Sequence, residues 1–261
     1  MIPNDHAVIL FKFGALKWMD KIRQGSISFS CPGKYIQIAK KTGNDEQGDV
    51  NEGVFARLRK GDKKIKEMQA KLKDDLEIID DGEYVMLRRW SSYYIPTFCF
   101  YSFRIVDMLD NDITETGFQT IHHYFDDRMY SGFGTRSVRN VLSKDNVPAY
   151  LILQVKPFIE NLMKNLALSV IGAEIRHINY TEYQKEEFFI YPTERRDELF
   201  YKFPKYAYQK EARVCLVRKP LNNIQERLNI YIDPMDEKDA FITKDEFHFG
   251  VTADFYEKKE E

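Results

Sequence analysis

Apolar and polar positions along the chain follow two periodicities, one typical of strands and the other of amphipathic helices. The apolar run at 6–13 predicts a first strand, and Leu16, Met19 and Ile22 then recur at helical spacing. Gly25 is placed to end that helix. The alternating stretch SISFSCP predicts a second strand, which ends at its proline. Further strands are predicted at 95–103, 148–155, 173–180, 212–218 and 227–233, and a further helix at 157–170.

Two polar segments interrupt this pattern. Residues 54–75 are basic, and the spacing predicts a mostly helical segment in which Ile65, Met68 and Leu72 form one apolar stripe. The stripe favours a surface helix packed along it, while a contact surface for nucleic acid or a partner protein is the functional alternative. Residues 106–146 are polar and are also predicted to be helical.

The order of these elements indicates the fold class. Strands and helices occur without the regular strand–helix–strand alternation of a doubly wound sheet, so we expect an α+β protein. We expect one domain over 1–261, with a basic helical insertion at about 54–80 and another helical insertion at about 104–147.

Composition narrows the classes of protein. The chain is 43% hydrophobic and 14% aromatic, which is enough for a real core, and its net charge of −2 describes an ordinary soluble surface rather than a uniformly basic one. The longest apolar runs are far below the ~18 residues of a membrane-spanning helix, and the N-terminus has no secretory pattern. Three widely spaced cysteines form no CxxC pair. We therefore expect a cytoplasmic protein without a disulfide framework or membrane contact.

Familiar catalytic motifs are absent, with the exception of one candidate for metal binding. The chain has no GxGxxG, GxxxxGK[ST], GxSxG or HExxH sequence. On a helix, the stretch IHHYFDDR would place His122 over Asp126 and His123 over Asp127, and such pairs hold divalent metals in hydrolytic nucleases. One helix offers each metal only two ligands, so ordinary ion pairs on an exposed face are the competing explanation.

The tetrapeptide Tyr-Gln-Lys-Glu occurs twice, at 183–186 and at 208–211. The first copy lies among glutamates, as expected of a solvated surface. The second copy runs directly into an apolar strand. If that strand begins near position 208, alternation projects Gln209, Glu211 and Arg213 from one side of it.

Three stretches resemble the ADP-ribosyltransferase superfamily. The sequence Gln209-Lys210-Glu211 resembles that family's Gln/Glu-x-Glu motif at the mouth of a strand. VILFKFGALKWMDKIRQGSISFSCP resembles its opening: an apolar strand ending in a basic residue, a helix, a glycine and a short strand containing serine. YIPTFCFYSF resembles its central strand. A group of bacterial proteins also shares an acidic turn like Asn51-Glu52-Gly53 and a late Glu-x-Arg, so the resemblance extends from about 8 to 217.

The resemblance implies a split mixed β-sheet core and an enzyme that uses NAD, with no metal. Glu211 would stabilise an oxocarbenium-like transition state and Gln209 would orient the acceptor. Lys12 would hold the pyrophosphate or ribose edge in place of the family's usual His or Arg, and Arg213 would fix the carboxylate of Glu211. No Ser-Thr-Ser triplet is present. The remaining cofactor-binding residues implied by the resemblance are Phe13, Ser28, Ser30, Tyr101 and Ser102.

The expected function is therefore that of a mono-ADP-ribosyltransferase toxin of the anti-phage type, restrained by an antitoxin or another inhibitory partner. Basic clusters and 16 tyrosines favour nucleic acid as the acceptor, with a protein acceptor as the alternative. Two rivals belong to other classes: a metal-dependent nuclease built on the His/Asp pairs, and a non-catalytic recognition module with a transferase-like fold.

Overall fold

Sixteen β-strands and four α-helices make up the regular structure of the described residues in this computed structural model. The described residues are 7–43, 48–104, 118–123, 125–126, 148–168, 172–181, 187–244 and 251–256. The helices are α1 (Leu16–Arg23), α2 (Pro32–Thr42), α3 (Lys63–Leu72) and α4 (Val155–Leu168). The strands are β1 (Ala7–Ala15), β2 (Ser26–Phe29), β3 (Val54–Arg59), β4 (Leu76–Asp81), β5 (Tyr84–Arg89), β6 (Thr97–Arg104), β7 (Phe118–His123), β8 (Pro148–Gln154), β9 (Ala173–His177), β10 (Asn179–Tyr180), β11 (Phe188–Phe189), β12 (Tyr201–Lys202), β13 (Glu211–Leu216), β14 (Leu228–Tyr231), β15 (Ala240–Lys244) and β16 (Val251–Tyr256).

The largest sheet has six strands in the order β15–β8–β1–β6–β13–β9, and each neighbouring pair is antiparallel. A second sheet has the order β11–β3–β5–β4, and three two-stranded pairs join β14 to β2, β16 to β7 and β10 to β12. Strands and helices therefore mix as an α+β fold, as the sequence predicted.

The six-stranded sheet is buried on both faces. On one face, Leu10, Phe98 and Phe100 pack with Met19 of α1 and Leu162 of α4 in the largest apolar core. The other face carries a cluster of aromatic rings: Phe11, Tyr101, Phe103 and Phe125. The predicted strand at 95–103 is confirmed, because burial of a sheet on both faces requires the continuous apolar run seen there. The predicted helix at 157–170 is confirmed as α4, which buries Phe158, Leu162 and Leu166.

The N-terminal elements follow the predicted order of strand, helix and strand. Met19 and Ile22 of α1 are buried, as their spacing predicted, and Gly25 ends the turn after α1 with a φ of 90°. A side chain is excluded at Gly25, because its Cβ would lie 2.1 Å from the carbonyl oxygen of Ile232. This close approach lets β2 pair with β14, so that Ser28 lies opposite Asn229.

The helical prediction for 54–75 is correct only for α3. Met68 is buried, and Ile65 and Leu72 pack beside it, so the apolar stripe is confirmed. The flanking residues instead form β3 and β4 of the second sheet. The proposed basic helical insertion at about 54–80 is therefore wrong in its helical character, because charged side chains of strands find partners across the sheet.

The helical prediction for 106–146 is wrong where the structure describes it. Residues 118–123 form β7, which pairs with β16 in an antiparallel register. The spacing that would place His122 over Asp126 on a helix is therefore absent, and Asp127 lies outside the described residues, as does most of the proposed insertion at about 104–147. None of the described helices is long and apolar enough to cross a membrane.

Candidate active site: a basic cavity beside a buried ion cluster

Three neighbouring strands of the six-stranded sheet carry most of the residues that the sequence analysis singled out. In the register of the sheet, Phe11 of β1 and Glu211 of β13 both lie beside Tyr101 of β6. Cys99 of β6 lies beside Arg213 of β13. β6 is thus the strand between the two that carry Lys12 and Glu211.

Four charged side chains are buried together at the start of β13, and we call them the ion cluster: Glu52, Lys202, Glu211 and Arg213. Each is at most 8% exposed. One carboxylate oxygen of Glu211 accepts a hydrogen bond from Nε of Arg213 at 2.8 Å, and the other accepts one from Nζ of Lys202 at 2.5 Å. Arg213 also donates to Glu52 and to the carbonyl oxygen of Leu199. Two cations and two anions therefore balance one another, which buried charges require.

Gln209 joins the ion cluster by a route that the sequence did not predict. β13 begins at Glu211, not near position 208, and Gln209 ends a short 3₁₀ helix, Pro204–Gln209. Lys210 between them adopts a left-handed conformation with a φ of 38°. Oε1 of Gln209 nevertheless accepts a hydrogen bond from Nζ of Lys202 at 3.1 Å. Gln209 and Glu211 thus converge on one ammonium group, although strand alternation is not the reason.

Lys202 was missed at the sequence level, and so was the contact made by Glu52. Lys202 ends the two-residue strand β12, where no motif marks it. Glu52 belongs to the acidic turn that supported the resemblance, and β5 holds that turn in place. Arg88 of β5 is 1% exposed and donates from Nη1 to the carbonyl oxygens of Val50 at 2.9 Å and Glu52 at 3.1 Å.

The ion cluster keeps Glu211 ionised. Burial alone would raise the pKa of this carboxyl, but Arg213 and Lys202 outweigh burial and hold the pKa well below its usual range. Burial likewise opposes the charge on Lys202, and Glu211 and Glu52 raise the pKa of the ammonium above its usual value. Glu211 is therefore a fixed negative charge at every physiological pH.

Asp49 is a further buried carboxyl beside the ion cluster, and no cation forms an ion pair with it in the described structure. The side chain is 3% exposed, and its Oδ2 has no hydrogen-bond partner in the described structure. Its Oδ1 accepts a hydrogen bond from the backbone of Asn51 at 2.8 Å. Burial and the neighbouring Glu52 raise the pKa of Asp49 to about 6, against the opposing attraction of Lys202 and Lys205.

This raised pKa predicts that Asp49→Asn stabilises the protein in a pH-dependent way. The folded state holds the Asp49 proton up to about pH 6, whereas the unfolded chain releases it near pH 4, so the wild-type protein loses stability as pH rises through that window. Asparagine cannot ionise and keeps an acceptor for Asn51. The gain in unfolding free energy should be near zero at pH 4 and reach up to about 3 kcal/mol at pH 7.

Urea unfolding of both proteins between pH 4 and pH 8 measures this difference. Asp80→Asn is the matched control, because Asp80 is exposed and its hydrogen bond with Lys60 lowers its pKa. That substitution should show a small effect of opposite sign. A gain for Asp49→Asn that does not vary with pH would contradict the assignment of a raised pKa to Asp49.

A cavity of about 530 Å³ opens between α1, α2, β2, β14 and the end of β1. Four of the residues predicted to bind the cofactor line this cavity: Lys12, Phe13, Ser28 and Ser30. Of all the described residues that line it, four are cationic and none is acidic. The four cations are Lys12, Lys21, Lys34 and Arg227. Aromatic rings make up much of the remaining wall, including those of Trp18, Tyr35, Phe98 and Tyr231.

Lys12 is the innermost of these cations. Its Nζ donates to the carbonyl oxygen of Cys99 at 2.6 Å and lies 4.5 Å from the centre of the Phe98 ring. Burial lowers its pKa, while Cys99 and Glu211 oppose that shift. No carboxylate forms an ion pair with Lys12 within the described residues. Lys12 is therefore a desolvated cation that gains from an anionic ligand.

Two further cations, Lys34 and Arg227, lie on the cavity wall. Lys34 lies on α2 and Arg227 directly precedes β14, so the two come from opposite ends of the chain. Burial lowers the pKa of Lys34, and the like charge of Arg227 lowers it further. No ion pair to either side chain is formed in the part of the chain that the structure describes. Two like charges held together in this way favour a bound anion.

Cys99 and Tyr35 line the cavity on the side of the ion cluster. Cys99 of β6 is the register partner of Arg213, which holds Glu211. Burial together with Glu211 raises the pKa of the Cys99 thiol to about 12. Burial also raises the pKa of Tyr35, with further contributions from Cys99 and Glu211. Both groups are thus protonated.

Tyr101 and Ser102 are not among the described residues that line the cavity. Tyr101 is 4% exposed, and its ring packs edge-on against Phe11 and Phe125 in the aromatic cluster. The hydroxyl of Ser102 donates to the carbonyl oxygen of Lys210 at 2.9 Å and lies 3.1 Å from Nδ1 of His177. Ser102 therefore supports the backbone beside Glu211.

Two further sequence candidates receive no supporting geometry. The first Tyr-Gln-Lys-Glu copy, at 183–186, lies outside the described residues. Within the described ranges, no three His, Cys, Asp or Glu side chains group together as metal ligands. The three cysteines are all free.

Comparison with known proteins gives the chain no relatives: no family model, no curated protein and no solved structure matches it.

Proposed function

We propose that this chain is a mono-ADP-ribosyltransferase that takes NAD as its substrate and binds it in the basic cavity. The observation that carries the proposal is the junction between that cavity and Glu211. A cation-lined, aromatic-walled cavity reaches Cys99 of β6, whose register partner Arg213 holds the ionised carboxylate of Glu211.

The order of three strands supports the proposal. The resemblance requires a basic residue on the first strand, a central strand and a Glu-bearing strand to serve one site. Here β1, β6 and β13 are consecutive neighbours in that order. The three strands thereby place Lys12 and Glu211, about two hundred residues apart in sequence, on either side of one central strand.

The chemistry of the cavity fits NAD. Its volume lies in the ordinary range for small-molecule sites. Lys34 and Arg227 would bind the pyrophosphate, since neither has a carboxylate partner among the described residues. Lys12, deeper in the cavity, would bind the ribose edge near Glu211. Ser28 of β2 and Ser30, which follows β2, would supply short polar contacts, and Phe13 would supply an apolar wall.

The reaction breaks the bond between the ribose and nicotinamide, whose electron pair leaves with neutral nicotinamide. A new bond joins that ribose carbon to a nucleophilic atom of the acceptor, which releases a proton. The positive charge that develops on the ribose favours a fixed anion nearby, and Glu211 is held ionised for that purpose. Gln209, which shares Lys202 with Glu211, would orient the acceptor.

Cys99 lies between the cavity and the ion cluster, because it lines the cavity and is the register partner of Arg213. A ribose hydroxyl that entered beside Cys99 would donate a hydrogen bond to Glu211. Arg213 and Lys202 would keep their contacts with Glu211, so the charge balance of the ion cluster would not change.

Weaker NAD binding by Lys34→Ala and by Arg227→Ala is the expected result of a direct test. Each substitution removes one of two unpaired cations, so each should weaken binding by about five- to tenfold, and the double variant by more. Isothermal titration calorimetry with NAD measures the affinity. Lys60→Ala is the matched control, because Lys60 is exposed and already paired with Asp80. Equal affinity in all four variants would place NAD elsewhere.

Assays of NAD turnover and of nucleic-acid cleavage separate the rival classes. A protein without NAD turnover that cleaves nucleic acid only in the absence of EDTA is a metal-dependent nuclease, for which the described His and Asp residues offer no grouped site. A protein that shows neither activity and does not bind NAD is a non-catalytic recognition module.

A further inference from the structure

Two large aromatic side chains are exposed at the entrance of the basic cavity. Trp18 of α1 is 47% exposed and Tyr231 of β14 is 72% exposed. Both line the cavity. Single exposed rings are common on protein surfaces, but two at the entrance of one cavity form a shared feature. We call Trp18, Lys21 and Tyr231 the cavity mouth.

Cations surround the Trp18 ring. Nζ of Lys21 lies 4.6 Å from its centre, and Nζ of Lys17 lies 5.6 Å from it. Neither lysine forms an ion pair with a described carboxylate. Since nearly half of Trp18 stays exposed, a planar group has access to the ring while the two ammonium groups contact negative charge beside it.

We propose that the cavity mouth binds an unpaired base of single-stranded nucleic acid, and that this nucleic acid is the acceptor of the ADP-ribosyl group. The inference rests on the proposed function for its second part only. A base stacks on an aromatic face whatever its identity, and the phosphates on either side attract lysine. The acceptor base would thereby lie at the entrance of the site that holds NAD.

The composition of the cavity mouth favours nucleic acid over a protein acceptor. None of the described cavity-lining residues is acidic, so the entrance offers no partner for a lysine or arginine of a target protein. Stacking rings next to unpaired cations match the two parts of a nucleotide.

A second basic surface, on α3, is the competing location. There Lys71 lies 3.7 Å from the ring centre of Tyr191, which is 57% exposed. Its neighbouring cations are partly neutralised: Arg59 pairs with Glu187 and Lys60 pairs with Asp80. The cavity mouth has no such pairs in the described structure, and it opens into the cavity that also holds Lys12, Lys34 and Arg227.

Fluorescence anisotropy with a short labelled oligonucleotide, as single-stranded RNA, single-stranded DNA and duplex, tests the inference. We expect single strands to bind more tightly than duplex, with an affinity that falls steeply as salt rises. Trp18→Ala and Tyr231→Ala should each weaken binding at least about fivefold. Tyr191→Ala is the matched control and should leave binding unchanged. Nicotinamide release from NAD by the wild-type protein, without any acceptor, is measured in parallel.

The outcomes are distinct. No binding of single strands, or equal binding by the wild type and both mouth variants, overturns the inference, and nicotinamide release by the same sample leaves the proposed function standing. Loss of oligonucleotide binding in Tyr191→Ala alone would locate the nucleic-acid surface at α3 and would also overturn the inference. If Trp18→Ala and Tyr231→Ala weaken NAD binding by the same factor as oligonucleotide binding, the rings hold the adenine of NAD and the mouth is no acceptor site. Oligonucleotide binding without nicotinamide release removes the proposed function but not the nucleic-acid site.

Discussion

If the proposed function is correct, Glu211→Gln should lower the transferase rate at least about a hundredfold, because it removes the fixed negative charge that would face the ribose. The same substitution should destabilise the fold. Lys202 and Arg213 are at most 8% exposed, and Glu211 is the anion that both contact. Leaving a buried cation unpaired costs about 3–5 kcal/mol. Urea unfolding and transfer of label from NAD are therefore measured on the same sample.

A double variant separates the catalytic role of Glu211 from its structural role. In Glu211→Gln with Lys202→Met, one anion and one cation leave the ion cluster together, and Arg213 retains Glu52. Stability should recover by a large part of the loss, whereas transfer should stay absent. Lys202→Met alone leaves Glu211 paired with Arg213 and should keep some activity. If activity returns together with stability in the double variant, the carboxylate is structural only.

Arg213→Ala is expected to be the most destabilising single substitution in the ion cluster. Arg213 donates to Glu211 and Glu52 and to the carbonyl oxygen of Leu199, so its loss leaves two buried carboxylates facing each other. The cost of about 3–5 kcal/mol is a large share of the 5–15 kcal/mol that stabilises a typical domain. Arg213→Lys keeps the charge but not the planar guanidinium group, so its stability should lie between that of the wild type and that of Arg213→Ala.

Arg195→Ala provides the matched control for Arg213→Ala. Arg195 also meets a glutamate through two nitrogens, both 3.2 Å from Glu174, but its side chain is 64% exposed. An exposed pair of this kind contributes about 0–1 kcal/mol. Urea midpoints of the two variants give the comparison. Similar losses of stability in Arg213→Ala and Arg195→Ala would mean that burial does not increase the contribution of the ion cluster to stability.

Local periodicity was enough to predict the N-terminal elements and the buried strands. The spacing of Leu16, Met19 and Ile22 predicted α1, and the apolar run at 95–103 predicted β6. These elements take their conformation from residues close in sequence. Their burial follows from the same residues, so the prediction needed no partner from elsewhere in the chain.

Charged strands of the second sheet were misread as helix because their partners are distant. Arg57 of β3 donates to Asp81 at 2.7 Å, and its guanidinium lies 3.7 Å from the ring centre of Tyr84. These cross-strand contacts satisfy a charge that otherwise favours a solvated helix. They appear only once β3, β5 and β4 are side by side, so periodicity alone could not reveal them.

In the candidate site, too, local sequence predicted one part and long-range pairing determines the rest. Gln209 and Glu211 were predicted to converge, and their side chains do meet at Lys202. The stated reason, a continuous strand from position 208, was wrong, because the left-handed Lys210 separates a 3₁₀ helix from β13. Lys34 and Arg227 reach one cavity only because β14 pairs with β2, about two hundred positions earlier in the chain. A long-range pairing of that kind has no local signature.

The central claim is that Glu211 acts on NAD bound in the basic cavity, and transfer of label tests it most directly. Purified protein is incubated with NAD labelled in the adenylate part and with total bacterial nucleic acid and protein as separate acceptors. The wild type should attach label to an acceptor and release nicotinamide, while the folded double variant, Glu211→Gln with Lys202→Met, should do neither. Label transfer by that double variant at the wild-type rate, or no nicotinamide release by the wild type at saturating NAD, would contradict the claim.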